Sequence, residues 1–190
     1  KSLPAEIFQL THLTKLSLSD NSLSSIPAEI GQLINLTELD LRSNSLGSIP
    51  VEIGQLTNLR ELDLSNNSLS KFPSEIGQLA KLTKLYIHTN SLSNLPAEIG
   101  QLSSLTHLDI RANNLIGLPA EIVNLKNLWF LLLHDNDALG IPAELLGNDD
   151  RFRNNMAQKI LAYLRERNVA RSLNETKMLV VGQGGVGKTS

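Results

Sequence analysis

Residues Leu36 to Leu46 read LTELDLRSNSL, which is the frame Leu-x-x-Leu-x-Leu-x-x-Asn-x-Leu. The frame restarts at Leu13, Leu59, Leu82, Leu105 and Leu128, so each copy follows its neighbour by 23 residues. Its asparagine is present in all six copies, at Asn21, Asn44, Asn67, Asn90, Asn113 and Asn136. An internal period of this length marks a stacked repeat architecture before any propensity is weighed.

Within one copy, Leu39 and Leu41 alternate with Glu38, Asp40 and Arg42, the period of two of a strand buried on one face. One such strand cannot bury its apolar side alone. Neighbouring copies therefore stack with their strands parallel, about 4.8 Å apart, around a shared core. The Asn stands where the chain must leave the strand. Its amide can donate to and accept from backbone groups of adjacent coils that burial would otherwise leave unpaired.

Between strands the chain repeats Ile-Pro-x-Glu-Ile-Gly-Gln-Leu with small variations. Pro27, Pro50, Pro73, Pro96, Pro119 and Pro142 are expected at the first position of short helical turns, where no backbone donor is lost. Glu29, Glu52, Glu75, Glu98, Glu121 and Glu144 then fall near the positive end of each turn. This acidic column is as regular as the scaffold, whereas a binding site differs from coil to coil, so it is read as structural. Gly31, Gly54, Gly77 and Gly100 are expected to end the turns with positive φ.

Frame and spacer together resemble the leucine-rich repeat family, and the LPxE-like spacer is similar to the type found in Ras-family-associated and Roco proteins, which are intracellular. The resemblance covers Leu3 to about Gly147 and assigns residues 1–147 to one repeat domain. It implies an α/β fold, a right-handed horseshoe solenoid of six full repeats and a partial one in front, with a parallel concave sheet and a helix after it. Leu3-Pro4-Ala5-Glu6-Ile7 aligns with Ile26-Pro27-Ala28-Glu29-Ile30, so Lys1 to His12 reads as the back half of a repeat. The chain is expected to begin inside a longer array.

The chain contains no Cys, which argues against an oxidising compartment, where repeat arrays commonly close their ends with disulfides. A cytoplasmic location is the expectation. No apolar run approaches the roughly 18 residues of a membrane span, the longest being Leu128 to Leu133. Residues 1–142 hold 9 Lys+Arg against 14 Asp+Glu, and residues 143–190 hold 8 against 5. Neither balance supplies the basic face that nucleic acid requires.

Specificity must reside where the repeats differ, on side chains pointing off the concave sheet. Three columns run across it: Lys15, Glu38, Glu61, Lys84, His107, Phe130; then Ser17, Asp40, Asp63, Tyr86, Asp109, Leu132; then Ser19, Arg42, Ser65, His88, Arg111, His134. Tyr86, His88, His107, Asp109, Arg111, Trp129, Phe130, Leu132 and His134 concentrate aromatic, imidazole and guanidinium groups in the later repeats, a mixture enriched in protein contact cores. A protein partner is the expected ligand. Trp129, Phe130 and Leu132 have a second reading, packing against whatever follows the last strand. His88, His107 and His134 are not read as metal ligands, because no Cys supports them and few acids lie nearby. Catalysis is not expected on an open sheet that cannot exclude water.

After Pro142 the repeat fails, and residues 148–175 read as a capping helix and linker. Asn148-Asp149-Asp150 is a helix start, and Met156, Ile160, Leu161 and Leu164 recur at helical spacing within Arg153 to Arg167. Their stripe is expected to cap the array or to dock a neighbouring domain. Arg165 and Arg167 are expected to complement the helix dipole, and Asn168 to Glu175 to form the linker.

Residues 176–190 introduce different chemistry. Lys177 to Val181 is a short apolar run, and Gly182, Gln183, Gly184, Gly185, Val186, Gly187, Lys188 and Thr189 match Gly-x-x-x-x-Gly-Lys-[Ser/Thr] in full, with Ser190 next. Glycines there let successive N–H groups curl around a phosphate. Lys188 would meet the β- and γ-phosphate oxygens, the Thr189 hydroxyl would bind Mg²⁺ in a complete domain, and the following helix N-terminus would face the phosphates.

Residues 173–190, LNETKMLVVGQGGVGKTS, resemble the opening of a Roc domain, the Ras-like GTPase of Roco proteins, in which a leucine-rich array and a helix similar to Lys159 to Arg165 come first. The resemblance implies a parent that binds GTP and GDP with Mg, hydrolyses GTP and dimerises through a COR domain after Roc. The array would then bind either an outside protein or the parent's own Roc-COR region. The alternatives are an array attached to an ATP switch of the NB-ARC or STAND type, or an array with no competent nucleotide domain. A Ras-like domain also needs switch I, DxxG and NKxD elements after the phosphate loop, and the sequence stops at Ser190 before any of them. The 190 residues by themselves are expected to hold no nucleotide, to lack appreciable GTPase activity, and to order Gly182 to Ser190 poorly.

Overall fold

The computed structural model of the chain describes residues 3–146 and 157–169. Six three-residue strands form one sheet in chain order: β1 (Lys15–Ser17), β2 (Glu38–Asp40), β3 (Glu61–Asp63), β4 (Lys84–Tyr86), β5 (His107–Asp109) and β6 (Phe130–Leu132). Every neighbouring pair is parallel and offset by one repeat, so Leu39 faces Leu62 and Tyr86 faces Asp109. A slip of one residue would turn each leucine outward, and the burial of one face fixes the register.

The frame leucines form one continuous core. Leu36, Leu41, Leu46, Leu59, Leu64 and Leu69 are fully buried, and the same positions of the later repeats continue the stack. Each such side chain contributes about 1.5–3 kcal/mol by leaving water. In the sixth repeat the last frame position is Ala138, which is exposed, while Leu139 is buried in its place. A short 3-10 turn at Asp137–Leu139 followed by Gly140 at φ 59° makes this shift, so the pattern breaks just after Asn136 and before Pro142.

The asparagines form the expected ladder. Asn67 donates through Nδ2 to the carbonyls of Leu41 (3.0 Å), Leu64 (3.1 Å) and Ser65 (3.2 Å), and its Oδ1 accepts the N–H of Leu46 at 3.0 Å. Asn44, Asn90, Asn113 and Asn136 repeat this pattern one coil apart. The residue before each of these asparagines has positive φ, between 48° and 58° at Asp20, Ser43, Asn66, Thr89, Ala112 and Asp135. None is Gly, so each coil carries a cost of about 1 kcal/mol that neighbouring hydrogen bonds must offset. One of these bonds comes from the strained residue itself, as where the Thr89 N–H donates to the Arg111 carbonyl at 2.9 Å.

The convex turns differ from expectation in two respects. They are 3-10 turns, such as Ala28–Gln32 and Val51–Gln55, and each proline precedes its turn in extended conformation, with its carbonyl accepting the first turn bond. The prolines thus flank the turns and do not occupy their first position. Among the described residues Gly140 is the only glycine with positive φ, so Gly31, Gly54, Gly77 and Gly100 are not needed for that conformation. They are needed for space, since a Cβ on Gly54 would stand 2.7 Å from the Glu75 carbonyl oxygen of the next coil. At Gly54, Gly77 and Gly100 the backbone of the next coil comes too close for a Cβ.

After the short helix α1 (Ala143–Leu146), a helix over residues 157–169, α2, closes the array. Ala157, Ile160, Leu161 and Leu164 are buried in the common core, which is the capping role the sequence suggested. Gln158 Nε2 donates to the Leu128 carbonyl at 2.9 Å, Arg165 to the Val123 carbonyl at 2.9 Å and Arg167 to the Leu139 carbonyl at 3.0 Å. Near the C-terminal end of their helix, the two arginines also reach carbonyls of the array. Asn168 and Val169 belong to the helix, which extends two residues into the expected linker. The Asn148-Asp149-Asp150 start, Met156, and the Lys177 to Ser190 strand and phosphate loop lie outside the described residues.

Candidate functional site

Because β1 to β6 align without stagger, side chains one repeat apart form straight columns on the concave face. Over β2 to β6 they enclose a hollow of about 500 Å³. Tyr86, His88, His107, Asp109, Arg111, Phe130 and Leu132 all line it. Trp129 does not; it enters β6 from the edge and is 68% exposed. His134, half-buried, also lies outside the lining set.

Arg42, Glu61 and Asp63 line the hollow too, and sequence reasoning missed them. Single charges on repeats two and three look like ordinary solvated positions. The signal available was their column: Asp63 stands beside Tyr86 across the β3–β4 pair.

Several polar groups in the hollow are already committed to the scaffold. Asp40, Asp63 and Asp109 each accept the N–H two residues on, from Arg42 (3.1 Å), Ser65 (2.9 Å) and Arg111 (3.2 Å). This local turn ends the strand. Asp109 also holds Arg111 in a two-pronged pair, Nε to Oδ1 at 2.9 Å and Nη2 to Oδ2 at 2.7 Å, with the carboxylate only 8% exposed. A pair with that geometry is rigid, so Arg111 presents a fixed planar surface. Lys84 reaches Glu61 at 3.0 Å, and this bond raises the lysine pKa.

His107 is held at one ring nitrogen. The Thr106 hydroxyl lies 2.9 Å from the Thr83 carbonyl oxygen and 2.8 Å from His107 Nδ1. Burial, reinforced by Lys84, lowers the imidazole pKa, which keeps the ring neutral near pH 7. The ring stacks on Phe130 with centroids 4.4 Å apart and planes at 23°. Beside it, burial raises the Tyr86 pKa; Lys84 opposes the shift, while Glu61, Asp63 and Asp109 add to it. The phenol stays protonated.

The hollow therefore offers flat aromatic surface, one fixed ion pair, a neutral imidazole and a carboxylate in partial contact with water. Such an arrangement suits recognition. Among the described residues no three His, Cys, Asp or Glu side chains converge on a point where a metal ion could sit. Nor is any helix among them long and apolar enough to cross a membrane.

Two family models match the chain, one described as a leucine-rich repeat region over residues 1–89 and one as a leucine-rich repeat over residues 80–137. No curated protein matches it. Among solved structures, a leucine-rich repeat protein of Leptospira interrogans is 35% identical with a TM-score of 0.56, the match covering 73% of this chain and 50% of that one. The PEPR1–AtPEP1 structure is 37% identical with a TM-score of 0.65, covering 70% of this chain and 20% of that one. An ectodomain of the Arabidopsis thaliana receptor kinase GASSHO1/SCHENGEN3, solved in complex with Casparian strip integrity factor 2, is 36% identical with a TM-score of 0.60 and the same coverage, 70% and 20%. This chain thus spans half or less of the length of each. With matched repeats running unbroken through residues 1–137, the chain belongs to the leucine-rich repeat proteins.

Proposed function

We propose that this array is a protein-recognition module that engages its partner through the concave hollow, and that it serves a Roco-type GTP-binding protein as its docking and regulatory part. One observation carries the first half: most of the varied side chains of the later concave strands line a single hollow of about 500 Å³. A partner must discriminate among repeats, and this hollow brings differing side chains of successive repeats together. The plant receptor kinase ectodomain that is 36% identical to this chain was solved in complex with Casparian strip integrity factor 2, which agrees with a recognition role here. The partner is either a separate protein or the Roc-COR region of the same protein.

The second half rests on residues 182–190 and on the order of array, helix and phosphate loop along the chain. Lys188 and Thr189 are the residues assigned to phosphate and Mg²⁺, and GTP and GDP are the nucleotides. Hydrolysis belongs to the parent. An ATP switch of the NB-ARC or STAND type uses a similar loop and would prefer adenine.

Photocrosslinking separates the concave face from the rest of the surface. A photoreactive side chain in place of Tyr86 should give discrete protein adducts in cells, and one in place of the exposed convex Val51 should not. Equal adducts from both would sink the first half. For the second, titration of the parent with GTP, GDP and ATP in the presence of Mg²⁺ should show guanine preference that Lys188→Ala abolishes. Adenine preference would replace the Roco assignment with the ATP-switch reading.

A further inference from the structure

The concave reading leaves open what kind of segment the hollow accepts, and its leftover hydrogen-bonding capacity answers that. Three acids line it, and two are neutralised within the chain: Glu61 by Lys84 at 3.0 Å and Asp109 by Arg111 at 2.7 Å. Asp63 differs. Its Oδ1 accepts both the N–H and the hydroxyl of Ser65, and among the described residues Oδ2 pairs with no cation. In register, the Tyr86 ring has Asp63 on one side and the Arg111-bound Asp109 on the other, with His107 diagonal to it on β5. A carboxylate without an internal cation beside an aromatic ring favours a cationic donor, which gains charge-assisted bonds and contact with the ring. Next to them Phe130 and Leu132 are half-buried, with the Phe130 ring already held by His107.

We infer that the hollow takes an Arg or Lys side chain of a protein segment between Asp63 and Tyr86, with an apolar side chain of the same segment resting on Phe130 and Leu132. This deepens the concave-face reading and rests on it. Asp63 and Leu132 are three strands apart, about 14 Å at normal strand spacing, which an extended segment crossing the strands covers in about four residues. The segment is therefore one in which a basic and an apolar residue stand about four positions apart. An acidic segment is disfavoured, since Asp63 would remain uncompensated and a second carboxylate would face it.

The test is a selection of phage-displayed random heptapeptides on the immobilised 190-residue chain, followed by fluorescence anisotropy with the enriched peptides. Enriched peptides should carry Arg or Lys with an apolar residue about four positions away. Asp63→Asn keeps the acceptor for the Ser65 N–H and removes the charge; it should weaken the best peptide about tenfold while circular dichroism stays unchanged. Phe130→Ala should weaken it comparably. Peptides that need Tyr86 and Phe130 but are acidic or neutral would overturn this inference and leave the concave-face reading standing. Peptides indifferent to Tyr86→Ser, or no enrichment at all, would overturn both.

Discussion

At the residue scale, stability depends on side chains that stand in for missing backbone partners. Asn90 donates to the Leu64, Ile87 and His88 carbonyls and accepts from Leu69 N–H, all within one coil of itself. Asn90→Ala leaves these groups without partners and should cost about 3 kcal/mol in urea unfolding, more than a typical surface substitution. The reverse case is Thr89, a β-branched residue at φ 55°. Thr89→Gly should stabilise the protein by about 1 kcal/mol, since relief of that backbone strain exceeds the entropy cost of glycine. Gly54→Ala should destabilise by about 1–3 kcal/mol, because the new methyl meets the Glu75 backbone oxygen as well as the movable Gln78 side chain. His107 gives a pH signature. Its pKa in the folded chain lies below the unfolded value, so the folded form binds fewer protons between the two. Stability contributed by the neutral ring is present above about pH 6.5 and is lost as pH falls through the folded pKa. Proton-detected titration should find His107 below the ordinary histidine range, and His107→Phe should flatten the acid limb of the stability profile.

At the element scale, the strands are too short to persist alone and the turns on the convex side have no regular helix to lend them stability. Each coil is held by its neighbours, and the last coil by α2. Leu161 is fully buried there, beneath a helix that also satisfies carbonyls of residues 123, 128 and 139. Leu161→Ala should cost about 2–5 kcal/mol. Hydrogen exchange should show the loss concentrated in β6 and the loop before it, with β2 little changed. Uniform acceleration across all six strands would mean instead that the cap controls the whole array. The apolar period of this helix was legible in the sequence from Ile160, Leu161 and Leu164. That its arginines would reach carbonyls of another coil was not, because such bonds depend on how the helix lies across the array.

At the scale of the whole molecule, every coil contacts only those beside it, so recognition and stability are spread along one axis. The hollow is a product of this arrangement: no single repeat holds more than three of its polar groups, and five successive repeats contribute to its lining. Seven of the nine residues picked from the sequence line it, because columns one repeat apart can be read directly from a 23-residue period. Trp129, exposed, lies outside the lining. It precedes the three-residue strand, where the alternation of faces does not yet apply.

The period by itself determined the stack, the parallel sheet, the buried leucines and the asparagine ladder, since each follows from placing the same short pattern against a copy of itself. Beyond the repeats, the match of residues 182–189 to Gly-x-x-x-x-Gly-Lys-[Ser/Thr] is likewise read from adjacent residues alone. Tertiary structure decided what the period leaves free. It showed that the convex glycines provide room and not a turn, that strain sits one residue before each ladder asparagine, and that Glu61 and Asp109 are neutralised while Asp63 is not. Those outcomes depend on distances between coils, and a one-dimensional pattern gives the order of neighbours without their spacing.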